Sequence, residues 1–154
     1  MTDRPRLAFH HSPGQGPTIL FLPGYASDMQ GSKALALEAW ARARGLAFLR
    51  FDYAGCGQSE GAFADQTLAG WRDDVLAMID HAVEGPVVLV GSSMGGWLML
   101  LAARARPDRV VGMLGIAAAL LVAEARPGDR IVVMGARDDT LSLLAATMVE
   151  SLAG

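Results

Sequence analysis

Short apolar runs recur along the chain, and they predict buried β-strands. The runs span residues 18–22, 47–51, 87–90, 110–116 and 130–134. Because apolar residues occupy nearly every position in them, the pattern is typical of parallel strands covered on both faces. Residues 6–10 also have strand character, and the turn residues after them predict an edge hairpin with the strand at 18–22.

Segments with apolar residues at helical spacing separate these runs. They predict helices over residues 32–44, 67–83, 94–105, 117–125 and 140–152. Ser32 can cap the first helix, and Gly45 lies just past its end, where a left-handed residue commonly closes a helix. Strand and helix alternate, which predicts a single α/β domain over residues 1–154. Its mostly parallel sheet should carry helices on both faces.

The pentapeptide Gly91-Ser92-Ser93-Met94-Gly95 stands directly between an apolar strand and a helix. In that context a G-x-S-x-G motif predicts a nucleophile elbow, a sharp turn that exposes the serine hydroxyl at the carboxyl edge of the sheet. Ser93 is the predicted nucleophile, because it has glycine two residues before and two residues after it. Ser92 is predicted to be a packing residue. The alternative is a glycine-rich turn that holds a phosphate.

Two other strand ends supply the remaining candidate groups. The sequence L-P-G-Y ends the strand at 18–22, so the backbone N–H groups of Tyr25 and Met94 are predicted to form an oxyanion hole. An ordinary strand-ending turn is the alternative. Asp138 follows the strand at 130–134 and is the predicted triad acid. The alternative is that Asp138 and Asp139 both cap the next helix.

Residues 52–59, D-Y-A-G-C-G-Q-S, form a third loop of interest. The loop joins a strand to a helix and is rich in glycine, but it has neither the spacing of a dinucleotide fingerprint nor a lysine at its end. We interpret it as a structural turn. Cys56 is the single cysteine and has no metal-ligand spacing to any partner. We therefore expect no disulfide, no metal and no cofactor.

Composition narrows the choice of partners. The chain of 154 residues is 52% hydrophobic and 19% charged, with a net charge of −3 and no basic run. It therefore lacks the electrostatic signature of a protein that binds nucleic acid or anionic membrane, and a small neutral or acylated substrate is favoured. No apolar run reaches the roughly 20 residues of a membrane span, and no secretory signal is visible. The expectation is a cytoplasmic protein.

Several of these motifs together resemble the α/β-hydrolase superfamily, and within it small serine esterases and thioesterases such as the acyl-protein thioesterase-like group. The matching pieces are F-L-P-G-Y, F-D-Y-A-G-C-G-Q-S, W-R-D-D-V and V-L-V-G-S-S-M-G-G-W. They fall between residues 21 and 117, whereas residues 118–154 form an atypical tail with a fainter likeness to the end of a Mur-type peptide ligase. The resemblance implies a serine hydrolase that cleaves carboxylic esters or thioesters through an acyl-serine intermediate.

The family order is serine, then acid, then histidine. Here His10, His11 and His81 all precede Ser93, so the chain resembles a hydrolase shortened after its nucleophile half. This predicts impaired catalysis, or alternatively a catalytically silent domain that binds an acyl ligand or a partner. The shortened tail should also expose apolar surface near Trp97, Leu98 and the final helix, which predicts self-association into a homo-oligomer.

Overall fold

The computed structural model describes residues 4–116 and, for its backbone alone, the strand at 131–134. Six strands are present in this part of the chain: β1 (Phe9–Ser12), β2 (Gln15–Leu22), β3 (Leu46–Phe51), β4 (Val87–Ser92), β5 (Val110–Ile116) and β6 (Ile131–Met134). The helices are α1 (Ser32–Ala43), α2 (Leu68–Ala77) and α3 (Met94–Ala105), with a 3₁₀ turn at Phe63–Asp65 and a π-helical turn, Met78–Ala82, directly after α2.

The strands form one sheet in the order β1-β3-β2-β4-β5-β6. Every neighbouring pair is parallel except β1 and β3. The registers align Leu20 of β2 with Leu49 of β3 and Leu89 of β4, so the carboxyl ends of the parallel strands meet at one edge. This confirms the predicted mostly parallel sheet.

Alternate side chains of the central strands enter two cores on opposite faces of the sheet. The core on one face joins β2, β3 and β4 to α2 and α3, and it includes Leu20, Leu22, Trp71, Val75, Leu98 and Met99. The core on the other face joins the same strands to α1, and it includes Phe21, Phe48, Val90, Ala34 and Ala41. Helices therefore cover both faces, as the unbroken apolar runs predicted.

The predicted hairpin between the first strand and β2 is wrong. Strand β1 does lie at the edge, but it pairs with β3, placing Ser12 opposite Phe48. The chain then passes over the start of β3 at Gly14, where a β-carbon would collide with the backbone of Leu46 and lie 2.6 Å from its carbonyl oxygen. Glycine permits this close crossing, and β3 inserts between the two strands that the sequence pattern places side by side.

The observed ends of the helices agree only in part with the ends predicted from the sequence. Thr67 caps α2, its hydroxyl accepting a hydrogen bond from the Gly70 N–H at 3.0 Å. Gly45 adopts φ +66° after α1, as predicted for a left-handed cap. Ser32 does not cap α1, however, because Gly31 holds the cap position and Ser32 is the first helical residue.

Three predictions fall outside the described residues: the helices at 117–125 and 140–152, and the position of Asp138. The predicted apolar surface is only partly right. Trp97 is 38% exposed, but Leu98 is completely buried, because successive helical residues point in different directions. None of the helices in the described part of the chain has the length and apolar character needed to cross a membrane.

Candidate active site

Ser93 occupies a strained turn between β4 and α3. Its backbone has φ +53° and ψ −116°, and among the described residues it shares a positive φ with just one other non-glycine residue, Ala26. Such a conformation costs about 1–3 kcal/mol and persists where the surroundings impose it. The Ser93 N–H donates to the Ile116 carbonyl at 3.0 Å, and its carbonyl accepts from the Gly96 N–H at 2.8 Å. These bonds hold an exposed serine side chain at the carboxyl edge of the sheet.

The two glycines around the serine are required by close backbone packing. A β-carbon on Gly95 would collide with the Leu22 carbonyl and lie 2.7 Å from that of Pro23. One on Gly91 would collide with the backbone of Gly95. Strand β4 and helix α3 can therefore approach β2 only with glycine at these positions. Ser92, by contrast, is 6% exposed and packs inside, as predicted.

The turn after β2 lies against the serine. A β-carbon built on Gly24 would be 3.5 Å from the Ser93 β-carbon and 3.3 Å from the Ser92 carbonyl oxygen. Tyr25 follows this glycine directly, and Met94 is the first residue of α3. Neither the Tyr25 N–H nor the Met94 N–H has a hydrogen-bond acceptor among the described residues. Two N–H groups without partners thus belong to the segments that meet at Ser93.

Tyr53 supports the Gly24–Tyr25 turn through a hydrogen bond. Its phenol is completely buried and donates a hydrogen bond to the Pro23 carbonyl at 3.0 Å. Burial raises the pKa of Tyr53 well above its ordinary value, so the hydroxyl stays protonated and remains a donor. Tyr53 belongs to none of the predicted site residues. A phenol two residues after a buried strand, at the edge that carries Ser93, is the signal that could have indicated it.

The loop at 52–59 is a structural turn, as interpreted from the sequence. The buried Asp52 carboxylate accepts hydrogen bonds from the N–H groups of Met29 at 2.7 Å and Gln58 at 2.8 Å. Gly57 has φ +50°, and a β-carbon there would collide with the same carboxylate. Asp52 is therefore engaged by backbone donors on two sides and holds the loop together.

Three aromatic side chains pack together beside the Gly24–Tyr25 turn. Tyr25, Phe63 and Trp71 have ring centroids 5.4 to 6.0 Å apart. Tyr25 is 63% exposed and Phe63 38% exposed, whereas Trp71 is buried. The Trp71 indole N–H donates to the Ala54 carbonyl at 3.0 Å, which fixes the buried ring. We call these three residues the aromatic platform.

The strand that precedes Asp138 reaches the same edge as the serine. Ile116 of β5 lies opposite both Ser92 of β4 and Met134 of β6. The two strands therefore end at one level of the sheet, with β5 between them. Asp138 itself lies outside the described residues.

The histidines lie away from Ser93. His10 and His11 are on β1, which is separated from β4 by β3 and β2, a spacing of about 14 Å across the sheet. His10 contacts the Glu38 carboxylate at 2.7 Å. His81 lies in the π-helical turn before β4, at the amino-terminal end of a strand whose six residues extend about 20 Å. Within residues 4–116, then, Ser93 has no histidine beside it.

The described residues hold no cluster of three potential metal ligands. Cys56 is a buried free thiol. Burial is the main cause that raises its pKa, and the nearby charge of Asp52 raises it further. A thiol with a raised pKa is a poor nucleophile.

A cavity of about 150 Å³ opens on the α1 side of the Gly24–Tyr25 turn, lined among others by Gly24, Lys33 and Ser92.

A mostly parallel sheet that presents a strained, exposed serine at a strand-to-helix turn defines an α/β hydrolase. The sequence comparison agrees with this assignment. Residues 15–148 match the family described as serine aminopeptidase, S33, and the chain belongs to that family of the α/β-hydrolase superfamily. The predicted resemblance and fold class are confirmed.

Three relatives place the chain within this superfamily. It is 51% identical over 118 residues to the palmitoyl-protein thioesterase ABHD10, mitochondrial, of Mus musculus, covering 77% of this chain and 40% of the relative. The structure of the alpha/beta hydrolase domain-containing protein 10 from mouse superposes with a TM-score of 0.75 at 50% identity, covering 77% of this chain and 48% of that one. A putative hydrolase from Agrobacterium vitis S4 gives a TM-score of 0.72 at 38% identity, with coverage of 84% and 55%. The chain thus spans about 40% of the length of the curated relatives it matches.

The prediction of a cytoplasmic protein is wrong. The relatives from mouse and human are named as mitochondrial proteins, and this finding contradicts the prediction. The prediction rested on the lack of a secretory signal and of a membrane span, and neither feature distinguishes one compartment inside the cell from another.

Proposed function

We propose that Ser93 is the nucleophile of an ester or thioester hydrolase that acts through an acyl-serine intermediate. The observation that carries the proposal is the strained, exposed Ser93, fixed at the carboxyl edge by Gly91 and Gly95. Strain at a position that packing fully determines is typical of a catalytic serine elbow. The packing role of Ser92 supports the choice between the two serines.

The reaction follows from the groups around the serine. The Ser93 hydroxyl passes its proton to a water molecule as its oxygen bonds to the acyl carbon, and the carbonyl oxygen becomes an oxyanion. The Tyr25 and Met94 N–H groups, which lack acceptors among the described residues, would donate to that oxyanion. Collapse expels the thiolate or alkoxide, which takes up a proton. Water then attacks the acyl-serine and releases the carboxylic acid.

The substrate class comes from the relatives. Those that match at 51–53% identity are named palmitoyl-protein thioesterase, so we propose a long-chain acyl thioester as the substrate of this chain. The net charge of −3 and the absence of a basic run are compatible with an uncharged acyl group. Because the chain spans about 40% of the length of those relatives, their substrate is proposed for this chain and is not assigned to it.

Asp138 is proposed as the acid of the triad. The support is the register of the sheet, because β6 ends level with β4 and Asp138 follows β6 by four residues. Carboxylates at such strand ends commonly serve the catalytic site in α/β folds.

The candidate site has no general base among the described residues. No histidine follows Ser93 in the 154 residues, and those described lie on β1 and at the opposite end of β4. Removing the histidine from a triad lowers kcat by about 10⁶, so a typical rate of about 10 s⁻¹ would fall to about 10⁻⁵ s⁻¹. We propose that the isolated chain is a very slow esterase. The same observation favours a second candidate, a silent domain that binds an acyl ligand in this cleft.

Labelling and turnover together test the proposal. The chain is treated with a fluorophosphonate probe and assayed with a palmitoyl thioester, beside the variants Ser93→Ala and Ser92→Ala. Slow labelling that Ser93→Ala abolishes and Ser92→Ala preserves supports Ser93 as the nucleophile. Added imidazole should accelerate turnover by supplying the missing base. Labelling that survives in Ser93→Ala would overturn the assignment, whereas ligand binding without any turnover would favour the silent domain.

Self-association is a separate proposal. The exposed Trp97 on α3 lies one helical turn after Ser93 and could be covered in a homo-oligomer. Light scattering at tens of micromolar tests this, and a clean monomer would exclude it at that concentration.

A further inference from the structure

The rings of the aromatic platform, Tyr25, Phe63 and Trp71, have no part in the chemistry above. Its rings contact one another in a closed triangle, with interplanar angles of 66°, 71° and 45°. Trp71 forms the base, since it is buried in the core with Val75 and its N–H is bound by the Ala54 carbonyl. The platform is therefore a fixed surface on which two exposed rings rest.

The exposed part of the platform continues along α2. Leu68 is 42% exposed and lies three residues before Trp71, on the same face of the helix. With Tyr25 and Phe63 it places three large apolar side chains in solvent on one side of the carboxyl edge. Exposed apolar residues that occur singly need no explanation, but a cluster that includes Tyr25, the residue after the Gly24 beside Ser93, is typical of a ligand surface.

The platform begins within reach of the nucleophile. A β-carbon built on Gly24 would be 3.5 Å from the Ser93 β-carbon, and Tyr25 is the next residue. Since consecutive α-carbons are 3.8 Å apart, the Tyr25 α-carbon lies within about 9 Å of Ser93. Tyr25 thus contributes its backbone N–H to the proposed oxyanion hole and its ring to the aromatic platform.

We propose that the aromatic platform binds the hydrocarbon chain of the acyl substrate next to the reacting carbonyl. This inference rests on the proposed function, because it names the subsite that would select long acyl chains. A hydrocarbon fits better than a cation, since Trp71, the strongest cation–π partner, is buried beneath the other rings. The cation–π contact within residues 4–116 is elsewhere, between Arg44 and Trp40.

Quenching of Trp71 fluorescence tests the subsite without any turnover. The double variant Trp40→Phe/Trp97→Phe leaves Trp71 as the single tryptophan. Titration with 9,10-dibromostearic acid should quench it saturably, whereas stearic acid should not. Phe63→Ser in this background should weaken the apparent affinity about tenfold. Leu35→Ser is the matched control, because Leu35 is 40% exposed on α1, on the opposite face of the sheet.

A second measurement separates failure of the subsite from failure of the proposed function. The rate of Ser93 labelling is compared for a decyl and an ethyl fluorophosphonate. Phe63→Ser should slow labelling by the decyl reagent about tenfold and leave the ethyl reagent within twofold. Saturable quenching without labelling of Ser93 by either reagent would overturn the proposed function and leave the subsite in place. Equal loss for both reagents, or quenching unaffected by Phe63→Ser, would overturn the subsite.

Discussion

Two polar regions of this protein differ in whether their polar groups have hydrogen-bond partners within the fold. Around Glu38, between β1, β3 and α1, the polar groups satisfy one another: its carboxylate accepts from Ser12 at 2.9 Å and Arg50 at 2.9 Å, and it contacts His10. At the carboxyl edge, Ser93 is strained and exposed, and the N–H groups of Tyr25 and Met94 have no acceptor in the described structure.

The difference separates a structural cluster from the site proposed for the chemistry. A buried carboxylate with hydrogen-bond partners on every side stabilises the fold and is unavailable to a substrate. Donors without acceptors in the described structure, next to a serine in a costly conformation, are compatible with the proposed oxyanion hole. Substitutions should therefore affect stability at the Glu38 cluster and reactivity at the carboxyl edge, and four predictions test this division.

The largest effect is expected from Gly95→Ala. Gly95 lies at the carboxyl edge, but its role is structural, because close backbone packing requires a glycine there. The added methyl group would collide with the Leu22 carbonyl, and neither backbone can move away. We expect a loss of more than about 4 kcal/mol in the free energy of unfolding, measured by urea denaturation. Gly70→Ala is the control, since the methyl group there meets the Thr67 hydroxyl at an ordinary 3.4 Å, and it should change stability by less than about 1 kcal/mol.

Arg50→Met should be the next most damaging change, because it leaves the buried Glu38 carboxylate without its main cation. Removal of one partner of a buried pair costs about 3–5 kcal/mol. The double variant Glu38→Gln/Arg50→Met should recover part of that loss in the same denaturation experiment. If the single and double variants are equally unstable, the Glu38 cluster stabilises the fold by packing alone.

The pH dependence of that loss follows from the pKa of Glu38. Burial by itself would raise this pKa, but the hydrogen bonds from Ser12 and Arg50 lower it below the ordinary 4.5. A lowered folded-state pKa contributes stability above pH 4.5 that is lost as the pH falls through the folded value. The deficit of Arg50→Met should therefore be greatest near neutral pH and shrink in acid.

Tyr53→Phe should have an intermediate effect that divides between stability and reactivity. It leaves the Pro23 carbonyl without its buried donor, at a cost of about 1–2 kcal/mol. Because that bond positions the Gly24–Tyr25 turn, Ser93 should also react about tenfold more slowly with a fluorophosphonate. Labelling at the wild-type rate would mean that the hydroxyl serves the fold alone.

The smallest effect should be a gain. Ser93→Gly removes the side chain that makes φ +53° costly, so stability should rise by about 1 kcal/mol, partly offset by the greater freedom of glycine in the unfolded chain. Labelling should be abolished. A variant that is less stable than wild type would show that the serine is not strained and would remove the main support for its catalytic role.

Much of the fold could be predicted from the sequence, because the relevant signals are local. Apolar runs such as 87–90 identify strands, Thr67 marks the start of a helix, and the glycines around Ser93 indicate a sharp turn. The pairing of β1 with β3 could not be predicted, because it depends on Gly14 crossing over Leu46, a contact between residues distant in sequence.

The candidate site divides in the same way. Spacing along the chain identifies the serine that stands between the two glycines, and the apolar pattern identifies the order of strands and helices. The folded chain was needed to show that Tyr53 supports the turn after β2, that Tyr25, Phe63 and Trp71 share one surface, and that the described histidines lie far from Ser93. These contacts could not be predicted because hydrogen bonds and ring contacts across the sheet depend on strand order and register, which no local pattern of residues encodes.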